Sequence, residues 1–224
     1  MSSKVLSALF RNTLRVALFL VPIFFLPWTA EPLEFNKQFL LAGLVLLALV
    51  FWLVRTIVEK EVRHVGSVFD IPVIILVAVA LAASALSIDR PLSFLGSYEQ
   101  LTFGFVSLVT YVLLFFLLKN AMTTLTAVRR TVMAFVGGAL VAMAYFWAYV
   151  FLPKLFTPLP LPGPVLVGPA SILGILAALI ATFSLGMLLR RTTRAADVFW
   201  GVSLAASVVT LFLVGFRSVW LVAA

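Results

Sequence analysis

Long apolar runs alternate with short polar stretches along the whole chain. A helix needs about 20 apolar residues to cross a hydrocarbon core, and the runs approach that length rather than the shorter one of a buried strand. Seven of them can be marked out. The first follows Lys4, Arg11 and Arg15 and ends at Trp28, and the second runs from Phe39 to Val54 and stops at Arg55. Asp70 opens the third, with Pro72 in its first turn, where a missing N–H costs little. The fourth covers Phe105 to Leu118 before Lys119 and Asn120, and the fifth covers Thr131 to Leu152. Ala170 to Leu189 is the sixth, closed by Arg190, Arg191 and Arg194, and Asp197 to Gly215 is the seventh. The pattern predicts an all-α, polytopic transmembrane helix bundle of about seven spans in a single domain, residues 1–224. The basic start of the first run resembles a signal peptide. Bulky Trp28, however, stands where a cleavage site needs a small residue, so an uncleaved first span is expected.

The connectors differ in kind. Residues 87–104 (SIDRPLSFLGSYEQLTFG) hold Asp89, Arg90 and Glu99, and their Pro91, Gly96 and Gly104 argue for irregular backbone rather than continuous helix. Residues 153–169 carry six of the 11 prolines, which predicts an extended connector that dips into the interface. Within the runs, the third is rich in alanine. In the fifth, Ala134, Gly138 and Ala142 form a four-residue packing seam. The aromatic group Tyr145, Phe146, Trp147 and Tyr149 has the look of an interfacial belt.

Composition supports the membrane reading: 64% of residues are hydrophobic and only 11% are charged, which excludes an ordinary soluble domain. The net charge of +8 does not point to nucleic acid, because the basic residues lie in small groups beside the apolar runs with no long stripe. Such groups suit an anionic membrane face. With a cytoplasmic N-terminus and alternating spans, Lys4, Arg11, Arg15, Arg55, Lys60, Arg63, Lys119, Arg129, Arg130, Arg190, Arg191 and Arg194 fall inside. Lys37, Arg90, Lys154 and Arg217 fall outside, so 12 of the 16 basic residues obey the positive-inside rule. Residues 87–104, residues 153–169 and Arg217 are then extracytoplasmic. Cysteine is absent, which rules out disulfides and thiolate metal sites.

Soluble-enzyme motifs are missing: there is no phosphate-binding glycine loop with its lysine, no histidine pair for zinc and no nucleophile elbow. The only histidine, His64, sits among Glu59, Lys60, Glu61 and Arg63 and reads as a solvated loop residue. Asp89, Arg90 and Glu99 either bind a polar substrate or cap helices and pair with one another. Arg217 lies between Gly215-Phe216 and an apolar continuation, so it either snorkels or binds an anion, and its planar fork suits phosphate oxygens.

Three patches carry a resemblance. Glu34-Phe35-Asn36-Lys37-Gln38 precedes the second run. Phe69-Asp70-Ile71-Pro72 opens the third, which leads through Ser84-Ala85-Leu86-Ser87 to Ile88-Asp89-Arg90-Pro91 and Tyr98-Glu99. Gly215-Phe216-Arg217-Ser218-Val219-Trp220-Leu221 follows the seventh. In this order the chain resembles the amino-terminal portion of bacterial O-antigen ligase-like membrane proteins, the superfamily that includes O-antigen polymerases. The resemblance implies a glycosyltransferase of the bacterial cytoplasmic (inner) membrane. Such an enzyme moves a glycan from an undecaprenyl diphosphate carrier to a lipid, glycan or protein acceptor at the outer face, with no nucleotide sugar, metal or other cofactor. It further implies that Arg217 holds the carrier diphosphate, with Trp220 at the aromatic position and Arg90 and Glu99 as substrate contacts. Phe216 and Ser218 stand where the family usually has serine and glycine, and Gln100 stands where relatives often carry an arginine. The family's catalytic histidine belongs to a long outer loop expected downstream of Ala224. The chain therefore reads as truncated and is expected to be inactive alone. The competing readings are a transporter or lipid flippase component, which calls for charged or broken helices at mid-membrane, and a non-enzymatic membrane scaffold.

Overall fold

A computed structural model describes residues 3–26, 33–61, 65–97, 104–152, 165–190 and 193–215. These residues form α1 (Ser3–Leu20), α2 (Glu34–Glu59), α3 (Asp70–Ala85), α4 (Arg90–Leu95), α5 (Phe105–Ala121), α6 (Leu125–Phe151), α7 (Ala170–Leu189) and α8 (Arg194–Val214), with no β-strand among them. The protein is a multi-pass helical membrane protein, because α2, α6, α7 and α8 are each long and apolar enough to cross a bilayer. At 16 and 17 residues, α3 and α5 reach about 24–26 Å, short of a hydrocarbon core of about 30 Å. α1 has 18 residues and is amphipathic, with Leu6, Phe10, Leu14 and Ala17 turned inward.

Local chemistry sets the boundaries. α7 spans the same residues as the sixth apolar run. α6 begins six residues before the predicted Thr131, at Leu125, because the Thr124 hydroxyl accepts the Ala127 N–H at 3.2 Å and caps the first turn. α1 lies earlier than the apolar run predicts, ending at Leu20 just ahead of Pro22. Residues 87–104 are not irregular throughout, since α4 occupies their first half. The Asp89 carboxylate accepts the Leu92 N–H at 3.1 Å and Pro91 lies in the first turn, a standard helix start.

Two cores hold the helices. Phe10 and Leu14 of α1, Leu41, Val45 and Ala48 of α2, and Leu117 and Ala121 of α5 form one. Val136, Ala139 and Met143 of α6, Leu173, Ala177 and Ile180 of α7, and Trp200 and Leu211 of α8 form the other. α1 joins them by packing on both α2 and α6. The expected α6 seam is where this happens. Gly138 and Ala142 are buried, and a side chain on Gly138 would run into the Phe19 backbone. The alanines of α3 do not form a comparable seam, because Ser84 is its one buried residue and Ile71 and Ile74 are 70% and 58% exposed. That bare apolar surface is of the kind a bilayer covers.

Candidate functional site

Helix alternation gives the bundle two chemically distinct ends. One end collects the starts of α1, α3, α6 and α8 and the close of α2, α5 and α7, and it is basic. There the Lys119 ammonium meets both Asp70 carboxylate oxygens at 2.5 and 2.7 Å, tying the end of α5 to the start of α3. Arg129 of α6 donates to the Thr193 hydroxyl at 3.4 Å, just ahead of α8. Arg15 feels the charges of Arg11 and Arg130, and its Nε is buried with no hydrogen-bond partner among the described residues.

The opposite end holds Arg90, one of the three site residues predicted from the sequence. The other two, Glu99 and Arg217, lie outside the described residues, as does His64. Arg90 is the first residue of α4 and is exposed. Its neighbour Asp89 serves as a helix cap, so that carboxylate holds backbone in place. Ser93 donates to the Ser87 hydroxyl at 2.6 Å and closes the turn beneath it. α4 is fixed by the T-shaped contact of Phe94 with Phe105, centroids 5.6 Å apart. Gly104 must lack a side chain, because a Cβ there would lie 2.6 Å from Gly96 N. Gly96 itself has φ +83°, a conformation open to glycine.

Two further groups sit at this end. Tyr111 of α5 donates to Gln38 Oε1 of α2 at 2.9 Å. Lys37 donates to the Leu166 carbonyl, which joins the start of α2 to the end of the proline-rich connector. Residues 153–164 lie outside the described residues. In the part that follows, Val165 and Leu166 are buried and Val165 belongs to the α6–α7–α8 core. α8 stops at Val214. Gly215, at φ +61°, caps it by donating to the Leu211 carbonyl at 3.3 Å, just before Arg217 in the chain. Arg90 stands on α4, packed against α3 and α5, while the end of α8 belongs with α6 and α7, so the described residues set the two on different helix groups.

Sequence reading missed a polar stripe inside the bundle. Ser203, Ser207 and Thr210 of α8 are fully buried, and each hydroxyl donates to the carbonyl four residues back at 2.8 Å. The Trp147 indole N–H donates to Thr210 Oγ1 at 3.1 Å, so Trp147 ties α6 to α8, and Phe146 is core. The four- and three-residue spacing of these hydroxyls was the signal available in the sequence. Ser184 Oγ of α7 and Trp200 Nε1 of α8 are buried with no hydrogen-bond partner among the described residues.

Chemically, the described part of the Arg90 end offers an exposed guanidinium, capped and bonded polar groups, and a helix stop. Among the described residues no three of His, Cys, Asp or Glu gather where a metal ion would sit. The described part of this end is suited to holding a polar or anionic group. No family model matches the chain, and no curated protein or solved structure does so either.

Proposed function

We propose that this chain is the amino-terminal portion of a membrane glycosyltransferase resembling O-antigen ligases and polymerases. In this reading seven of the helices cross the inner membrane, α4 lies at its outer face, and the N-terminus is cytoplasmic. The donor is a glycan on undecaprenyl diphosphate. The acceptor hydroxyl attacks the anomeric carbon, the bond from that carbon to the diphosphate breaks, and the carrier diphosphate departs with the negative charge. Arg217 holds that diphosphate through its planar fork and stabilises the charge as it develops. Arg90 and Glu99 contact the polar part of the substrate. The proton acceptor is the histidine of the long outer loop that the family resemblance places downstream.

The observation that supports this reading most directly is the left-handed stop at Gly215, immediately ahead of Arg217, at the bundle end opposite the basic one. A helix that stops just before an arginine in the chain suits a residue that meets a charged group where the apolar span ends. A transport component is the second reading, and the buried hydroxyl stripe of α8 is the feature that favours it. Arg217→Ala in the full-length protein separates the two. Glycan transfer is expected to be abolished with membrane insertion intact. Normal transfer by that variant sinks the role of Arg217, and substrate movement by reconstituted protein with no consumption of carrier lipid favours transport.

A further inference from the structure

The basic end contains a cavity of about 220 Å³ between α1, α2 and α5. Its wall includes Arg11 of α1, Trp52 and Arg55 of α2, Asn120 of α5, and Thr123. Arg55 spends only Nε on a partner, the Glu59 carboxylate at 3.1 Å, so its two terminal nitrogens have no hydrogen bond among the described residues. Arg11 makes no hydrogen bond or ion pair among the described residues, and Arg15, whose Nε is likewise unsatisfied, lies within its electrostatic reach. Asn120 is held in place at the wall, accepting the Val65 N–H at 3.1 Å and donating to the Phe116 carbonyl at 2.9 Å. Among the described residues the cavity wall carries two guanidinium forks, with Arg15 near Arg11 and the Glu59 carboxylate on Arg55 Nε, around a recess large enough for a phosphate. The apolar run of α2 ends at Arg55 and that of α5 at Lys119, which puts the recess at headgroup depth, where tryptophan is favoured.

We propose that this cavity binds the phosphate of an anionic phospholipid headgroup, with Arg11 and Arg55 as the two forks. The geometry follows the general pattern of basic recesses between spans at the cytoplasmic side. The site lies at the end of the bundle opposite Arg90, and the proposal does not depend on the glycosyltransferase reading. The full chain, purified in detergent and titrated by native mass spectrometry with phosphatidylglycerol or phosphatidylcholine, tests it. Phosphatidylglycerol is expected to bind about tenfold more tightly than phosphatidylcholine, and R11Q/R55Q should remove that preference. R194Q, which deletes an exposed charge at the same end outside the cavity, should keep it. If the double variant does not fold by circular dichroism, R11Q and R55Q singly decide, each lowering the preference about threefold. The proposal is overturned if R11Q/R55Q retains the preference, or if R194Q loses as much. Displacement of phosphatidylglycerol by millimolar inorganic phosphate would also overturn it, by assigning the same chemistry to a soluble anion.

Discussion

On α6, Gly137 and Gly138 are neighbours with opposite tolerance for a methyl group. A Cβ on Gly137 would rest 3.5 Å from the Phe19 ring, an ordinary contact, whereas one on Gly138 would fall on the Phe19 carbonyl, 2.9 Å from its carbon. Gly137→Ala is therefore expected to be neutral or slightly stabilising, because alanine is the better helix former. Gly138→Ala should cost about 1–3 kcal/mol by forcing α1 away from α6. Thermal unfolding of both variants in one detergent checks this, and equal midpoints would mean that the approach of α1 carries no weight. The Asp70–Lys119 pair makes a similar argument with charge. Both side chains are largely buried, 15% and 12% exposed, so removing either leaves a partly desolvated partner. A double-mutant cycle with Asp70→Asn and Lys119→Gln should return a coupling of about 1–3 kcal/mol, and a coupling near zero would reduce the pair to a surface contact.

At the scale of elements, the apolar runs were easy to read because hydrophobic length is a strong signal, and α7 falls where Ala170 and Leu189 bound it in the sequence. Starts were harder. Thr124 was a legible cap that the apolar pattern outweighed, and Asp89 followed by Pro91 announced α4 as clearly as any N-terminal signature. Burial was the least legible. The alanines of α3 and the Ala134–Gly138–Ala142 seam look alike on paper. Only the second is covered, because which face meets a neighbour depends on helices distant in sequence. The same limit applies to the candidate site. Arg90 and Asp89 could be located from sequence, but the division of labour between them, exposed cation and helix cap, depends on three-dimensional geometry. The two recess arginines were read only as orientation signals, since nothing local in the sequence says that α1 and α2 bring them to one cavity.

For the whole molecule, the separation of a basic end from the Arg90 end makes topology measurable. The absence of cysteine provides a clean background for single-cysteine labelling. In intact cells, Arg90→Cys is expected to react with a membrane-impermeant maleimide, and Arg194→Cys only after permeabilisation. Both positions lie on exposed residues, so labelling of the two from the same side would overturn the alternating arrangement.

The meeting of Phe19 with Gly138 also has a consequence for biosynthesis. α1 is made well before α6, one of its partners, with α2 to α5 made in between. While those helices are being synthesised, α1 has α2 for cover but presents an unfilled flank, and it carries Lys4, Arg11 and Arg15. A chain arrested after α5 is therefore expected to turn over faster than one that includes α6, and a pulse–chase comparison of the two lengths checks this. Closure of α6 over α1 would end that window.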